Sequence, residues 1–267
     1  VETKNLSFAY ETEAIVSDLS TVIMRGDRIA IIGRNGVGKT TLLRMLIGDL
    51  HPDGGRVEMG SRLEVVYFDQ RREVLDPNQT PWQTLCPNGG QTVETRGRSQ
   101  HVIGYLRNFL FEEHQAQSPV SSLSGGEQNR LLLARLFASP GNLLALDEPT
   151  NDLDVETLDL LQEALGEYDG TVLLVSHDRD FIDRVATTSI VLDGHGAGIE
   201  YVGGYNDYLR VKPKPVSSTT RGSVRLPKRS AQVRTSLGYK EQRELEGLPQ
   251  EIETLSKKIA RAEILLA

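Results

Sequence analysis

The sequence predicts an α/β domain built around a mostly parallel sheet, and three observations predict it. Short, continuously apolar runs alternate with helix-like stretches. A glycine-rich loop with phosphate-binding spacing joins one of those runs to a helix. Acids or a histidine close the later runs, where the strands of such a sheet present their ends.

The runs RIAIIG (28–33), NLLALDE (142–148), TVLLVSHD (171–178) and TSIVLD (188–193) carry no polar alternation. Strands covered on both faces have that composition, the mark of parallel sheets under helices. Stretches 5–10 and 20–23 read instead as antiparallel, edge-like strands, and 64–69 as a further strand. Helical patterns follow at 40–47, 127–138, 155–168 and 179–185, and 101–113 is mostly helical. After Tyr208 the pattern stops.

The chain of 267 residues is 38% hydrophobic with mean hydropathy −0.32, which allows a sizeable core. No apolar run approaches the ~20 residues of a membrane span, and no signal peptide opens the sequence. Val1 in place of methionine, with a strand already under way at Asn5, reads as a piece of a longer protein. The single cysteine, Cys86, excludes an internal disulfide and fits a reducing, cytoplasmic setting. Beside Pro87, Asn88 and Gly89 it reads as a bland loop thiol.

Charge is unevenly spread. Residues 210–267 hold thirteen basic and six acidic side chains, so the tail is +7 and residues 1–209 carry −14 of the net −7. Between Arg210 and Lys240 there are nine Lys/Arg and no acid. That segment, rich in Pro, Ser and Thr, reads as a basic flexible linker (210–238) suited to a polyanion, or as a solvated linker without a partner. In residues 239–267, Leu245, Leu248, Ile252, Leu255, Ile259, Ala262 and Leu266 repeat at spacings of 3 and 4. This is a coiled-coil seam, interrupted or begun at Pro249. Its partner helix would lie beyond Ala267; the alternative is a helix packed on the body.

The chemistry is carried by a few residues. GRNGVGKTT (33–41) fits G-x-x-x-x-G-K-[ST], from Gly33 through Asn35, Gly36 and Gly38 to Lys39, Thr40 and Thr41. Its glycines let backbone N–H groups turn toward phosphate oxygens, Lys39 reaches the outer phosphates, and the Thr40 hydroxyl can ligate Mg²⁺. Asp147 and Glu148 end a strand. Asp147 reads as the metal-side acid, through water, and Glu148 as the base that activates the attacking water. His177, at the next strand end, can hydrogen-bond a γ-phosphate. Gln70, after strand 64–69, offers an amide to Mg²⁺ and the attacking water. A second glycine pair stands in LSGGEQNRLLLARLF (123–137), where Ser124, Gly125 and Gly126 precede a helix beginning near Glu127. A helix N-terminus there favours an anion, and Ser124 with Glu127 also fits a capping box.

Together these motifs resemble the ATP-binding cassette (ABC) superfamily, over about residues 1–209. The resemblance implies a P-loop NTPase fold of the ABC type, with an antiparallel β edge and a helical subdomain. It makes LSGGE the signature motif, which serves ATP held by a second cassette in a head-to-tail sandwich. It makes Tyr10, 29 residues before Lys39, the adenine-stacking aromatic, with Phe8 the second choice, and Asn151-Asp-Leu-Asp154 the loop that couples the two sites. DEPTNDLD followed by VSHDRDFID, with QHVIGYLRNFLF and YVGGYNDY, is similar to the ABC-F class of the Uup type: its second cassette and the start of its C-terminal coiled-coil domain. That class is soluble, acts on ribosomes, and its C-terminal domain is linked to DNA binding. Only one phosphate loop is present, so the chain carries two half-sites. The expected function is an Mg-ATP-hydrolysing switch whose partners are a second cassette and nucleic acid, ribosomal RNA or DNA. The alternatives are the ATPase subunit of a membrane transporter and a pure binding module.

Overall fold

A computed structural model describes residues 1–11, 13–69, 75–95 and 98–211. Gln70, the basic linker beyond Val211 and the expected coiled-coil helix (239–267) lie outside the described residues.

The chain opens with β1 (Glu2–Tyr10) and β2 (Glu13–Val22), an antiparallel hairpin joined on its other edge by β4 (Gly54–Glu58). β2 is longer than the edge strand expected at 20–23, because it follows β1 back along its length, from Tyr10↔Glu13 to Glu2↔Val22. The central sheet begins at β3 (Arg28–Ile32), which feeds the phosphate loop and α1 (Lys39–Leu46). β5 (Val65–Asp69), β8 (Leu143–Asp147), β9 (Thr171–Val175) and β10 (Thr188–Leu192) complete its parallel part, and β11 (Gly198–Val202) closes one edge antiparallel to β10. The order is β11-β10-β3-β9-β8-β5. The strand ends after β3, β9, β8 and β5 are therefore neighbours, the place where α/β sheets receive ligands.

The unalternating apolar runs are explained by cover on both faces. Ile29, Ile31, Leu143, Ala145, Leu173 and Val175 pack with Leu42, Leu43, Met45 and Leu46 of α1 and with Leu6 and Leu19 of the hairpin. Their neighbours Ala30, Ile32, Leu144, Leu146, Val172 and Leu174 face the opposite cluster. There they meet α4 (Gly125–Ala138), α5 (Val155–Gly166) and α6 (Arg179–Val185). Each fully buried leucine is worth about 2–3 kcal/mol of transfer free energy, so this double layer fixes the strand ends firmly.

A helical subdomain leads into α4. It holds α2 (Pro81–Leu85), the hairpin β6 (Thr92–Thr95) and β7 (Arg98–His101), and α3 (Val102–Arg107). The helix expected over 101–113 ends early. Leu110 at φ +62° and the Phe111 N–H bond to Leu106 O terminate it, and Phe111 turns into the core. Cys86 is buried rather than in an open loop, and burial pushes its thiol pKa up, which agrees with an unreactive role. α7 (Tyr205–Val211) continues past Tyr208, so the boundary expected after Leu209 falls inside a helix.

Candidate nucleotide site

The phosphate loop is held open by glycines with distinct reasons. Gly36 and Gly38 have φ of +77° and +97°, left-handed values that other residues reach at a cost. A Cβ on Gly38 would stand 2.2 Å from Ile15 Cγ2, and one on Gly33 2.6 Å from Val37 Cγ1. Ile15 belongs to the first hairpin, so the loop is pressed against it. Tyr10 sits at the end of that hairpin, 52% exposed and edge-on to Phe8 at 5.0 Å. Asn35 is exposed and Thr41 half-buried on either side of the lysine.

Lys39 is only 7% exposed. Its Nζ donates to the carbonyls of Gly33 (3.3 Å) and Arg34 (3.4 Å) and lies 3.2 Å from His177 Nε2. Burial pushes its pKa down, against the pull of Glu148 and Asp147. The Thr40 hydroxyl donates to Asp147 Oδ1 at 3.1 Å, and the Tyr67 hydroxyl donates to Asp147 Oδ2 at 3.3 Å. Thr40 and Asp147 are hard oxygen donors, and two of them suit Mg²⁺, which keeps waters and phosphate oxygens as its other ligands. Among the described residues no group of three or more His, Cys, Asp or Glu forms a cage for a metal.

Glu148 adopts φ +52°, an uncommon value for a side-chain-bearing residue. It is held there by its N–H bond to Val175 O (2.8 Å), and its Oε2 accepts from the His177 N–H at 3.2 Å. Glu148 Oε1 stands 2.9 Å from His177 Nε2. Burial raises the Glu148 pKa, opposed chiefly by His177 and then Lys39. Around these groups the Thr150 and Ser176 hydroxyls meet at 3.1 Å, joining the loop after β8 to the loop after β9.

The second glycine pair opens α4. Ser124 is its N-cap: its Oγ accepts from the Glu127 N–H (3.3 Å), and Glu127 Oε2 accepts from the Ser124 N–H (2.7 Å). The capping box expected from sequence is thus formed, and these bonds hold the Glu127 pKa down. Gly125 and Gly126, as first helical residues, have no intrahelical acceptor for their N–H groups, and both line an open cleft of about 1150 Å³. Thr40, Asp147, Glu148 and Asp154 line the same cleft. Asp154 caps α5 through the Thr157 N–H (2.7 Å). A Cβ on Gly126 would stand 2.5 Å from Asp154 Oδ2, and Asn129 Nδ2 donates to Asp152 O at 3.0 Å. The 123–127 motif and the 151–154 loop are therefore one stitched unit.

The structure brings Lys39, Thr40, Asp147, Glu148 and His177 together and sets Ser124–Glu127 beside Asp154. Tyr67, Thr150, Ser176 and Asn129 escaped sequence reasoning. The signal for Tyr67 was a lone phenol in the strand VVYFD, since a part-buried hydroxyl seeks a partner.

The family described as "ABC transporter" matches residues 16–151. ATP-binding protein Uup of Escherichia coli (strain K12) is 48% identical over 265 residues, covering 97% of this chain and 42% of that protein. A Uup-like ATP-binding protein of Haemophilus influenzae is 45% identical, covering all of this chain and 61% of its own length. The energy-dependent translational throttle protein EttA of the same organism is 41% identical over 80% of this chain and 38% of its own. This chain thus spans roughly two fifths to three fifths of those relatives. The solved structure of an ATP-binding subunit of an ABC transporter superposes with a TM-score of 0.62 at 25% identity, covering 78% of this chain and 91% of that one. Among the described residues no helix is long and apolar enough to cross a membrane. With strand order, phosphate loop, strand-end acids and capped helix α4 in agreement, the chain belongs to the ABC family, and over nearly its whole length it is similar to Uup ATP-binding proteins.

Proposed function

We propose that this chain is half of an ATP-operated clamp: Mg-ATP bound at its phosphate loop is closed upon by the signature helix of a second cassette. Hydrolysis then reopens the pair. The observation that carries this reading is the meeting of Lys39, His177 and Glu148 around one imidazole nitrogen. His177 Nε2 lies 2.9 Å from a carboxylate oxygen and 3.2 Å from an ammonium. A neutral ring nitrogen donates to the first or accepts from the second, never both. A triphosphate tail relieves the competition by taking Lys39 and leaving His177 to a γ-phosphate oxygen.

In this cycle Glu148 orients a water and takes its proton as the water oxygen bonds to the γ-phosphorus and the ADP oxygen leaves. Its burial-raised basicity suits that task. Thr40 and Asp147 would hold Mg²⁺, which supplies neutralisation of phosphate charge. Tyr10 offers an exposed ring face to adenine. Asp154 and Gly126 pair the coupling loop with the signature, so that closure on one nucleotide is felt at the other.

The cycle serves nucleic acid. Support comes from the excess of nine basic residues over no acids between Arg210 and Lys240 and from the relative named as a translational throttle protein. Arg210, Lys212, Lys214, Arg221, Arg225, Lys228, Arg229 and Arg234 supply sequence-blind phosphate contacts. Retention of Glu148→Gln protein on ribosomes and on duplex DNA, with and without ATP, tests the reading. ATP-dependent retention that disappears when residues 212–267 are deleted, with ATP binding kept, is expected. Co-purification with membrane-embedded subunits would instead favour the transporter alternative.

A further inference from the structure

We propose that Tyr67 is a positioning residue for the metal-side carboxylate, setting how strongly Mg²⁺ adds to nucleotide binding. The inference rests on the nucleotide reading above and extends it to a strand that the phosphate-binding motifs do not include.

Asp147 is 8% exposed and closes β8. Its two oxygens are held by different elements: Oδ1 accepts from Thr40 at the start of α1, and Oδ2 from the Tyr67 hydroxyl on β5. The register places Tyr67 opposite Ala145 and Asp69 opposite Asp147, so the phenol reaches diagonally along the sheet to the carboxylate. Tyr67 packs beside the cluster that buries Leu42, Leu43 and Leu46 of α1, which fixes its ring.

The two bonds differ in what happens on metal binding. Thr40 is itself a candidate ligand, so its hydroxyl would be shared between Asp147 and an ion. Tyr67 is not a candidate ligand. Its donation would remain with an ion bound and would keep the Asp147 carboxylate aimed. A hydrogen bond to a charged acceptor is among the stronger kinds, and outer partners of metal-side carboxylates alter metal affinity roughly 10–100-fold.

The test uses Tyr67→Phe, which removes only the hydroxyl, in the whole chain. ATP affinity is measured by displacement of a fluorescent ATP analogue in excess Mg²⁺ and in excess EDTA, with thermal melting as a fold control. Expected is an EDTA affinity within about two-fold of the parent and a Mg²⁺-dependent gain reduced about ten-fold. A gain equal to the parent's overturns the proposal. So does an equal loss in Mg²⁺ and EDTA, which would make Tyr67 a packing residue. If the parent chain binds no ATP in either buffer, the nucleotide reading itself fails and this inference falls with it, an outcome distinct from the other two.

Discussion

The phosphate loop and the signature turn both rely on glycine pairs, yet the reasons differ. In the phosphate loop the need is met inside the chain. Gly36 and Gly38 hold left-handed φ, and Ile15 forbids a side chain at Gly38. At the head of α4, Gly125 has ordinary helical backbone and nothing within 4 Å of the position its Cβ would take. Among the described residues nothing calls for a glycine there. Gly126 is crowded by Asp154 of the 151–154 loop, with Arg130 Nη1 at ordinary contact distance. The first region's glycines answer to contacts inside their own chain; in the proposed clamp the second would face the nucleotide of another cassette. That contrast is what the proposed head-to-tail sandwich asks of a single half.

The largest expected effect tests the phosphate-loop side. Glu148→Gln should lower turnover of the two-cassette assembly about 10²–10⁴-fold while leaving ATP binding, because it removes the proposed base and keeps the shape. Loss confined to binding would move the chemistry elsewhere. Next comes the glycine contrast itself. Gly38→Ala should destabilise the chain by about 1–3 kcal/mol, from its positive φ and the contact with Ile15. Gly125→Ala should leave the isolated chain between unchanged and about 1 kcal/mol more stable, since alanine is the better helix former. The same Gly125→Ala should weaken ATP-dependent association of cassettes, read by sedimentation in the Glu148→Gln background. Equal melting losses for both variants would erase the distinction between the two regions. Smaller still, Ser124→Ala should cost about 0.5–2 kcal/mol by removing the cap of α4.

Much of this was legible in sequence, for identifiable reasons. Strands β3, β8, β9 and β10 could be read because cover on both faces forces unbroken apolar runs. Helix α6 matches its expected bounds because Asp178 caps it at one end and the chain leaves it after Val185. The phosphate loop and strand-end acids could be read because they are local in sequence. What stayed hidden depends on neighbours distant in the chain. The β6–β7 hairpin, VET and SQH around its turn, has too little apolar patterning to declare itself. β4 exists because β1 offers an open edge, not because GGRVE favours a strand. The Tyr67–Asp147 bond spans 80 residues and the Thr150–Ser176 bond 26. Neither spacing is a motif.

The finest expected effect separates the two regions by acid. Glu127 belongs to the capping box, and its bonds to Ser124 depress its pKa in the folded chain. A carboxyl with a depressed folded pKa gives stability that is fully present above its unfolded value and is lost as pH falls through the folded one. Glu127 is half-buried, so solvent screening still trims the contribution. Glu127→Gln keeps a capping side chain but has no proton to gain. The melting-temperature advantage of the parent over Glu127→Gln should therefore shrink as pH falls from about 7 to about 3, through and below the ordinary carboxylate range. Glu148 runs the other way: burial raises its pKa, so the charged form is disfavoured by folding. Glu148→Gln should give a melting difference whose pH dependence has the opposite sign, with the parent gaining on the variant as acid protonates the buried carboxyl. Two carboxylates, one in the cap of α4 and one just past the end of β8, would then answer acid in opposite directions, and a common slope for both pairs would show that they share one electrostatic environment after all.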